Sequence, residues 1–106
     1  MKIKIKPLSI NRAFQGRRFK TKDYLLYEQE LFYLLPKIEV PDKKNLKLNI
    51  EFGINTLADI DNSLKLFLDI LQKFYHFNDR YIMELNVKKV VVLKGFEYID
   101  FNIELI

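Results

Sequence analysis

Residues 46–54 alternate strictly, with Leu46, Leu48, Ile50, Phe52 and Ile54 on one side and Lys47, Asn49, Glu51 and Gly53 on the other. A period of two separates the two sets only in an extended chain, so the stretch predicts a strand with one buried face. Such a strand needs neighbours and a covering layer. Residues 99–105 repeat the pattern, with Ile99, Phe101, Ile103 and Leu105 set against Asp100, Asn102 and Glu104. Residues 87–93 are rich in β-branched side chains and alternate less strictly, which predicts a central strand covered more fully. Lys94 and Gly95 predict a hairpin turn from it into the last strand. A first strand is expected at residues 2–6, where Lys and Ile alternate.

The covering layer comes from two segments of helical period. Thr21 predicts the N-cap of a helix over about residues 22–35, with Tyr24, Tyr27, Leu31, Leu34 and Leu35 inward and Pro36 as its stop. The second helix is expected over about residues 62–75, with Leu64, Phe67, Leu68, Leu71 and Phe74 inward. The order β-α-β-α-β-β predicts an α/β fold, a single-domain mixed sheet with helices packed on it, occupying residues 1–106. At 106 residues and 49% hydrophobic, the chain has the size of one domain that buries roughly two thirds of its unfolded surface.

Charge is uneven along the chain. The net charge is only +4, yet Lys2, Lys4, Lys6, Arg12, Arg17, Arg18, Lys20 and Lys22 all precede the first acidic residue, Asp23. That block can track a phosphate backbone, with Arg17, Arg18 and Lys20 gripping phosphates from a loop opened by Gly16. For the three strand lysines the alternative is a solvated edge that deters edge-to-edge pairing. Cysteine is absent, which excludes disulfides, thiol nucleophiles and zinc-thiolate sites. No run approaches the roughly 20 apolar residues of a membrane span, so the expectation is a soluble, cytoplasmic protein.

The chemistry concentrates at Asp59, Asp61, Asn62 and Lys65, in a strand-to-helix junction. Two carboxylates beside an amide and an ammonium suit a hard divalent cation acting on a phosphodiester. If the chain stays extended through 59–61, Asp59 and Asp61 point the same way with Cα atoms about 6.5 Å apart. The competing reading makes either Asp a helix cap. A calcium loop is excluded, because Leu64 stands where it requires Gly and Ile70 where it requires Glu. Asp61, Lys65 and Asp69 are spaced by four and share a helix face, either as an ion-pair ladder or with Lys65 poised over a metal cluster. A third carboxylate, Asp79, follows the helix. His76, the one histidine, lies in an aromatic run and reads as a helix-terminal or packing residue. The two serines and three scattered glycines support neither a nucleophile elbow nor a phosphate-cradling loop.

The pattern Asp-x-Asp-Asn-x-x-Lys, followed by Asp about twenty residues after the first, resembles that of the RusA-type Holliday junction resolvases, small homodimeric endodeoxyribonucleases. Here the positions are Asp59, Asp61, Asn62, Lys65 and Asp79, with Asp69 one turn after the lysine and Ser9, Asn11 and Arg12 matching a Ser-x-Asn-Arg segment. The resemblance implies a Mg²⁺-dependent nuclease in which Asp59, Asp61 and Asp79 hold the metal and Lys65 assists catalysis. It also implies that Asn11, Arg12 and Asn62 meet branched DNA, a four-way junction, in a homodimer serving recombination and repair, with Arg17, Arg18 and Lys20 of the basic loop expected to join them. The chain departs from the family at Asn78, where an Asp usually precedes the metal-holding Asp. Two other readings compete with a nuclease: a non-catalytic branched-DNA-binding module of the same fold, and a small interaction protein whose Asp-Lys-Asp face is merely solvated.

Overall fold

The computed structural model describes residues 1–9, 14–15, 19–57 and 59–106. Its elements are β1 (Lys2–Ile3), β2 (Phe14–Gln15), β3 (Phe19–Lys20), α1 (Lys22–Leu34), β4 (Leu46–Ile54), α2 (Ile60–Tyr75), a 3-10 turn (Asp79–Tyr81), β5 (Ile82–Val91) and β6 (Tyr98–Leu105). The mixed α/β architecture expected from the sequence is present. Four strands form one sheet in the order β1-β6-β4-β5, and β2 and β3 form a separate two-stranded ribbon. That ribbon lies inside the basic block and was not anticipated.

The strict alternation of β4 explains its central place. Leu46, Leu48, Ile50 and Phe52 are buried under the helices, while Lys47, Asn49 and Glu51 face outward. Phe67 of α2 meets Phe52 and Phe101 edge-on, with ring centroids 5.9 and 5.5 Å away, and so clamps α2 across β4 and β6. Edge-to-face geometry adds about 0.5–1.5 kcal/mol to the apolar burial. α1 is capped as expected: the Tyr24 amide donates to Thr21 Oγ1 at 3.2 Å. The chain leaves α1 through Leu35 and Pro36, whose carbonyl accepts the Tyr75 hydroxyl at 2.6 Å. This bond ties the end of α2 to the exit of α1.

Several expectations are corrected. β5 runs parallel to β4 and β6 antiparallel to it on the other side, so residues 94–95 turn the chain but close no hairpin. Residues 92–97 instead cross the C-terminal end of β4, where the Val92 amide donates to the Ile54 carbonyl at 2.8 Å. A β-α-β crossover puts β5 beside its parallel neighbour and leaves it at the edge, so the β-branched run is half exposed, not central. β1 is shorter than residues 2–6, although Ile3 and Ile5 are buried as the alternation required. α2 begins two residues early, at Ile60, and its buried stripe is Ser63, Leu66, Phe67, Ile70, Leu71 and Tyr75. Leu64, Leu68 and Phe74 flank that stripe, partly buried. In α1, Leu34 faces solvent instead of the core.

Tyr98 starts β6 directly opposite Gly53. Its ring lies where a side chain at Gly53 would sit, since an added Cβ would come within 2.3 Å of the ring. The hydroxyl donates to Glu51 Oε2 at 2.6 Å, and Lys2 Nζ stands 4.1 Å from the ring centroid. Farther along the outward face Asn86 donates to Asn49 at 2.9 Å and Asn49 to Asn102 at 2.8 Å, a side-chain ladder across β5, β4 and β6.

Candidate metal centre

β4 ends at Ile54, and five residues later Asp59 occupies the N-cap position of α2 in extended conformation (φ −64°, ψ 138°). Its carboxylate makes no capping hydrogen bond; the Asp59 carbonyl alone accepts, from the Asn62 amide at 3.2 Å. The cap reading of Asp59 is therefore not realised. Asp61 sits in the first helical turn, where the positive end of the helix dipole favours a carboxylate. Because α2 starts at Ile60, the chain is not extended through 59–61, and the two acids flank the first turn instead of sharing one strand face. Both are exposed, and neither has a salt-bridge or hydrogen-bond partner for its carboxylate among the described residues. Oxygen donors of this kind suit a hard divalent cation.

Lys65 follows Asp61 by one turn and is exposed, with no ion pair among the described residues. The proposed ladder to Asp61 and Asp69 is thus not formed. Asn62 is half-buried between the acids and the core stripe.

Asp79 is elsewhere. It opens the 3-10 turn beyond the other end of α2, where its amide donates to Gln72 Oε1 at 2.9 Å. The 16 residues of α2 span about 24 Å, and Gln72 is in the last of its turns. One chain thus presents Asp59 and Asp61 at one end of the helix and Asp79 near the other, and no described group of three acidic or imidazole side chains forms a metal cluster. Asn78 has a local use: its side chain accepts the Arg80 amide at 3.0 Å and caps the 3-10 turn.

Of the expected DNA-facing residues, Asn11, Arg12, Arg17 and Arg18 lie outside the described residues. Lys20 is described, and it shares Glu28 with Lys73, at 3.8 and 3.0 Å respectively. Lys20 Nζ also stands 4.7 Å from the centre of the Tyr24 ring. The neighbouring Lys73 ammonium holds Lys20 below the usual lysine range, burial adding to the effect. Burial pushes the Tyr24 hydroxyl up. Sequence reasoning missed Gln72, which tethers Asp79, and Lys73. The signal for Lys73 was present, because 61, 65, 69 and 73 continue one spacing of four along α2.

Among the described residues no helix is long and apolar enough to cross a membrane. A search of curated proteins finds no match. The family model described as Endodeoxyribonuclease RusA matches residues 8–97, a segment that carries every acidic and basic residue of the site. The chain therefore belongs to the RusA endodeoxyribonuclease family.

Proposed function

We propose that this chain is a Mg²⁺-dependent, structure-specific endodeoxyribonuclease that resolves four-way DNA junctions as a homodimer, acting in cytoplasmic recombination and repair. Asp59 and Asp61 of one copy and Asp79 of the other hold the metal. The observation that carries this reading is the separation along α2, a helix about 24 Å long: an uncapped, exposed acidic pair at its first turn and an acid tethered to Gln72 in its last turn. Two copies with antiparallel α2 helices bring opposite ends together twice, so one two-fold axis yields two equivalent sites. A four-way junction needs two matching cuts.

A divalent ion bound there would neutralise charge on the scissile phosphate and its leaving oxygen and would favour ionisation of the attacking water. The side chains do the rest. Lys65, one turn from Asp61 and unpaired among the described residues, would stabilise charge that grows on the phosphate in the transition state. Asn62 offers its amide beside the acidic pair, and Arg12, Arg17, Arg18, Lys20 and Asn11 supply sequence-independent grip on the DNA backbone.

Incubating the protein with a synthetic four-way junction, with and without Mg²⁺, tests the reading. Paired nicks across the junction that require the metal are expected. Tight binding without any cleavage at any divalent-metal concentration would make the chain a non-catalytic branched-DNA module instead.

A further inference from the structure

We propose that the cavity between α1, the end of β4 and the first turn of α2 binds a linear polyamine, held between Asp23 and Glu30 at its rim and the Asn55 side-chain oxygen on its wall. The site itself is independent of the nuclease reading. The cavity measures about 550 Å³, and both carboxylates, Tyr27, Asn55 and Ser63 line it. Two buried polar atoms on its wall, the Tyr27 hydroxyl and Asn55 Oδ1, have no hydrogen-bond partner among the described residues. The Leu8 amide approaches the Tyr27 oxygen without making a hydrogen bond. Tyr27 is only 5% exposed, so water offers it little compensation, and buried oxygens of this kind are normally paired. A ligand carrying N–H donors would supply the pairing.

The charges select the ligand. Asp23, Tyr27 and Glu30 follow at intervals of four and three and so share one face of α1. Both acids are exposed, and neither forms a salt bridge with a described residue. Lys6, the cation among the described lining residues, already has Glu97 as an electrostatic partner. The cavity therefore favours cations and repels phosphate groups. One metal ion cannot use both acids, because they stand about 10.5 Å apart along the axis of α1, and no described cluster of three acidic or imidazole groups exists. A chain with several ammonium groups matches that separation. Its ends meet the two carboxylates, its methylene stem lies on Leu8 and on Leu26, which stands between the acids on α1, and an N–H reaches Asn55 Oδ1. Burial, and to a smaller degree the Glu30 charge, pushes the Tyr27 hydroxyl up, so it stays neutral and its oxygen remains able to accept.

The position of the cavity gives its occupancy a consequence, which alone rests on the nuclease reading. Ser63 is buried, follows Asp59 by one turn on the same face of α2, and lines the cavity. Asn55 and Thr56, which line it as well, lead from β4 towards the acids. A bound polyamine brings positive charge beside carboxylates that otherwise repel DNA phosphates.

Isothermal titration of the DNA-free, full-length protein with spermidine tests the site. Saturation at one ligand per chain is expected, and putrescine, shorter by an aminopropyl arm, should bind more weakly. Asp23→Asn, Glu30→Gln and Asn55→Leu, each with an unchanged circular dichroism spectrum, should weaken spermidine binding at least about tenfold, since each removes a hydrogen bond to a charged group. Glu39→Gln, exposed on the loop after α1, should not. Absence of saturable binding, an equal loss in the Glu39→Gln control, or indifference to the three cavity substitutions would overturn the proposal. Full displacement by Mg²⁺ at matched ionic strength would do the same, by reducing the binding to a counterion atmosphere. A lysine-rich peptide that binds where spermidine does not would also overturn it and give the cavity to a protein partner. Junction cleavage by the wild type is measured separately. A protein that binds spermidine and never cuts defeats the nuclease reading and leaves the site standing; cutting without spermidine binding does the reverse.

Discussion

The side-chain carbonyl of Gln72 accepts the backbone amide of Asp79 at 2.9 Å, fastening the third acid of the motif to the far end of the helix that the first two acids begin. Gln72→Leu removes the acceptor and keeps much of the volume. Supporting contacts around metal ligands are worth about 10–100-fold in metal affinity or activity. The variant should therefore fold normally and need more Mg²⁺ for half-maximal junction cleavage, as a metal titration of the nicking rate would show. An unchanged metal requirement would mean that the tether is only structural.

Lys65→Ala should separate turnover from affinity. An ammonium aimed at charge that develops in the transition state contributes about 10²–10³ in rate, while junction affinity should change little. Single-turnover cleavage together with a gel-shift titration checks this. Parallel loss of both would make Lys65 a phosphate anchor.

Gly53→Ala should be costly. The added methyl would meet the Tyr98 ring at 2.3 Å, between two central strands that have little room to part. Overpacking of this kind costs about 1–3 kcal/mol, measurable as a lower urea midpoint, and Tyr98→Ala in the same chain should recover part of it.

His76 ends α2 in the left-handed region, with φ 57° and ψ 48°, and its side chain is exposed. Glycine adopts that conformation without the Cβ conflict, which is of order 1–2 kcal/mol. His76→Gly should thus stabilise the fold, raising Tm by about 4–8 °C per kcal/mol gained.

Tyr75 and Tyr98 should titrate late, as should Tyr24 and Tyr27, which burial also pushes up. The bond to Glu51, then burial, pushes Tyr98 up to about 12, and burial pushes Tyr75 up to about 12, against about 10 in an unfolded chain. Between those values the unfolded chain releases protons that the folded one keeps, so this contribution to stability is complete below about pH 10 and is lost as pH rises towards about 12. Phenolate absorbance during an alkaline titration should show a delayed component that shrinks in Tyr98→Phe.

Much of this was legible in the sequence because the relevant signals are local. The alternation of β4, the Thr21 cap and the Asp59, Asp61, Lys65 spacing each depend on neighbours a few residues away. What escaped depends on partners far along the chain. The β-branched run of β5 reads as a buried strand, but its position is set by the crossover from β4 and by residues 92–97 passing over β4 to begin β6. The burial stripe of α2 is shifted by about one residue because Phe67 must point between Phe52 and Phe101. Sequence spacing placed Asp79 after the helix but could not say at which end of the sheet it would return. That is decided by the length of α2.

The central claim, that each metal centre takes Asp59 and Asp61 from one copy and Asp79 from the other, is tested most directly by mixing two dead variants. Asp59→Asn and Asp79→Asn should each bind a four-way junction without cutting it. In a mixed dimer one site carries both substitutions and the other carries neither. Co-refolded variants should therefore regain Mg²⁺-dependent nicking on one strand per junction, at up to about half the wild-type dimer's site count for the mixed species. If the mixture stays as inactive as its components while mixed dimers demonstrably form, the three acids do not meet across the two-fold axis.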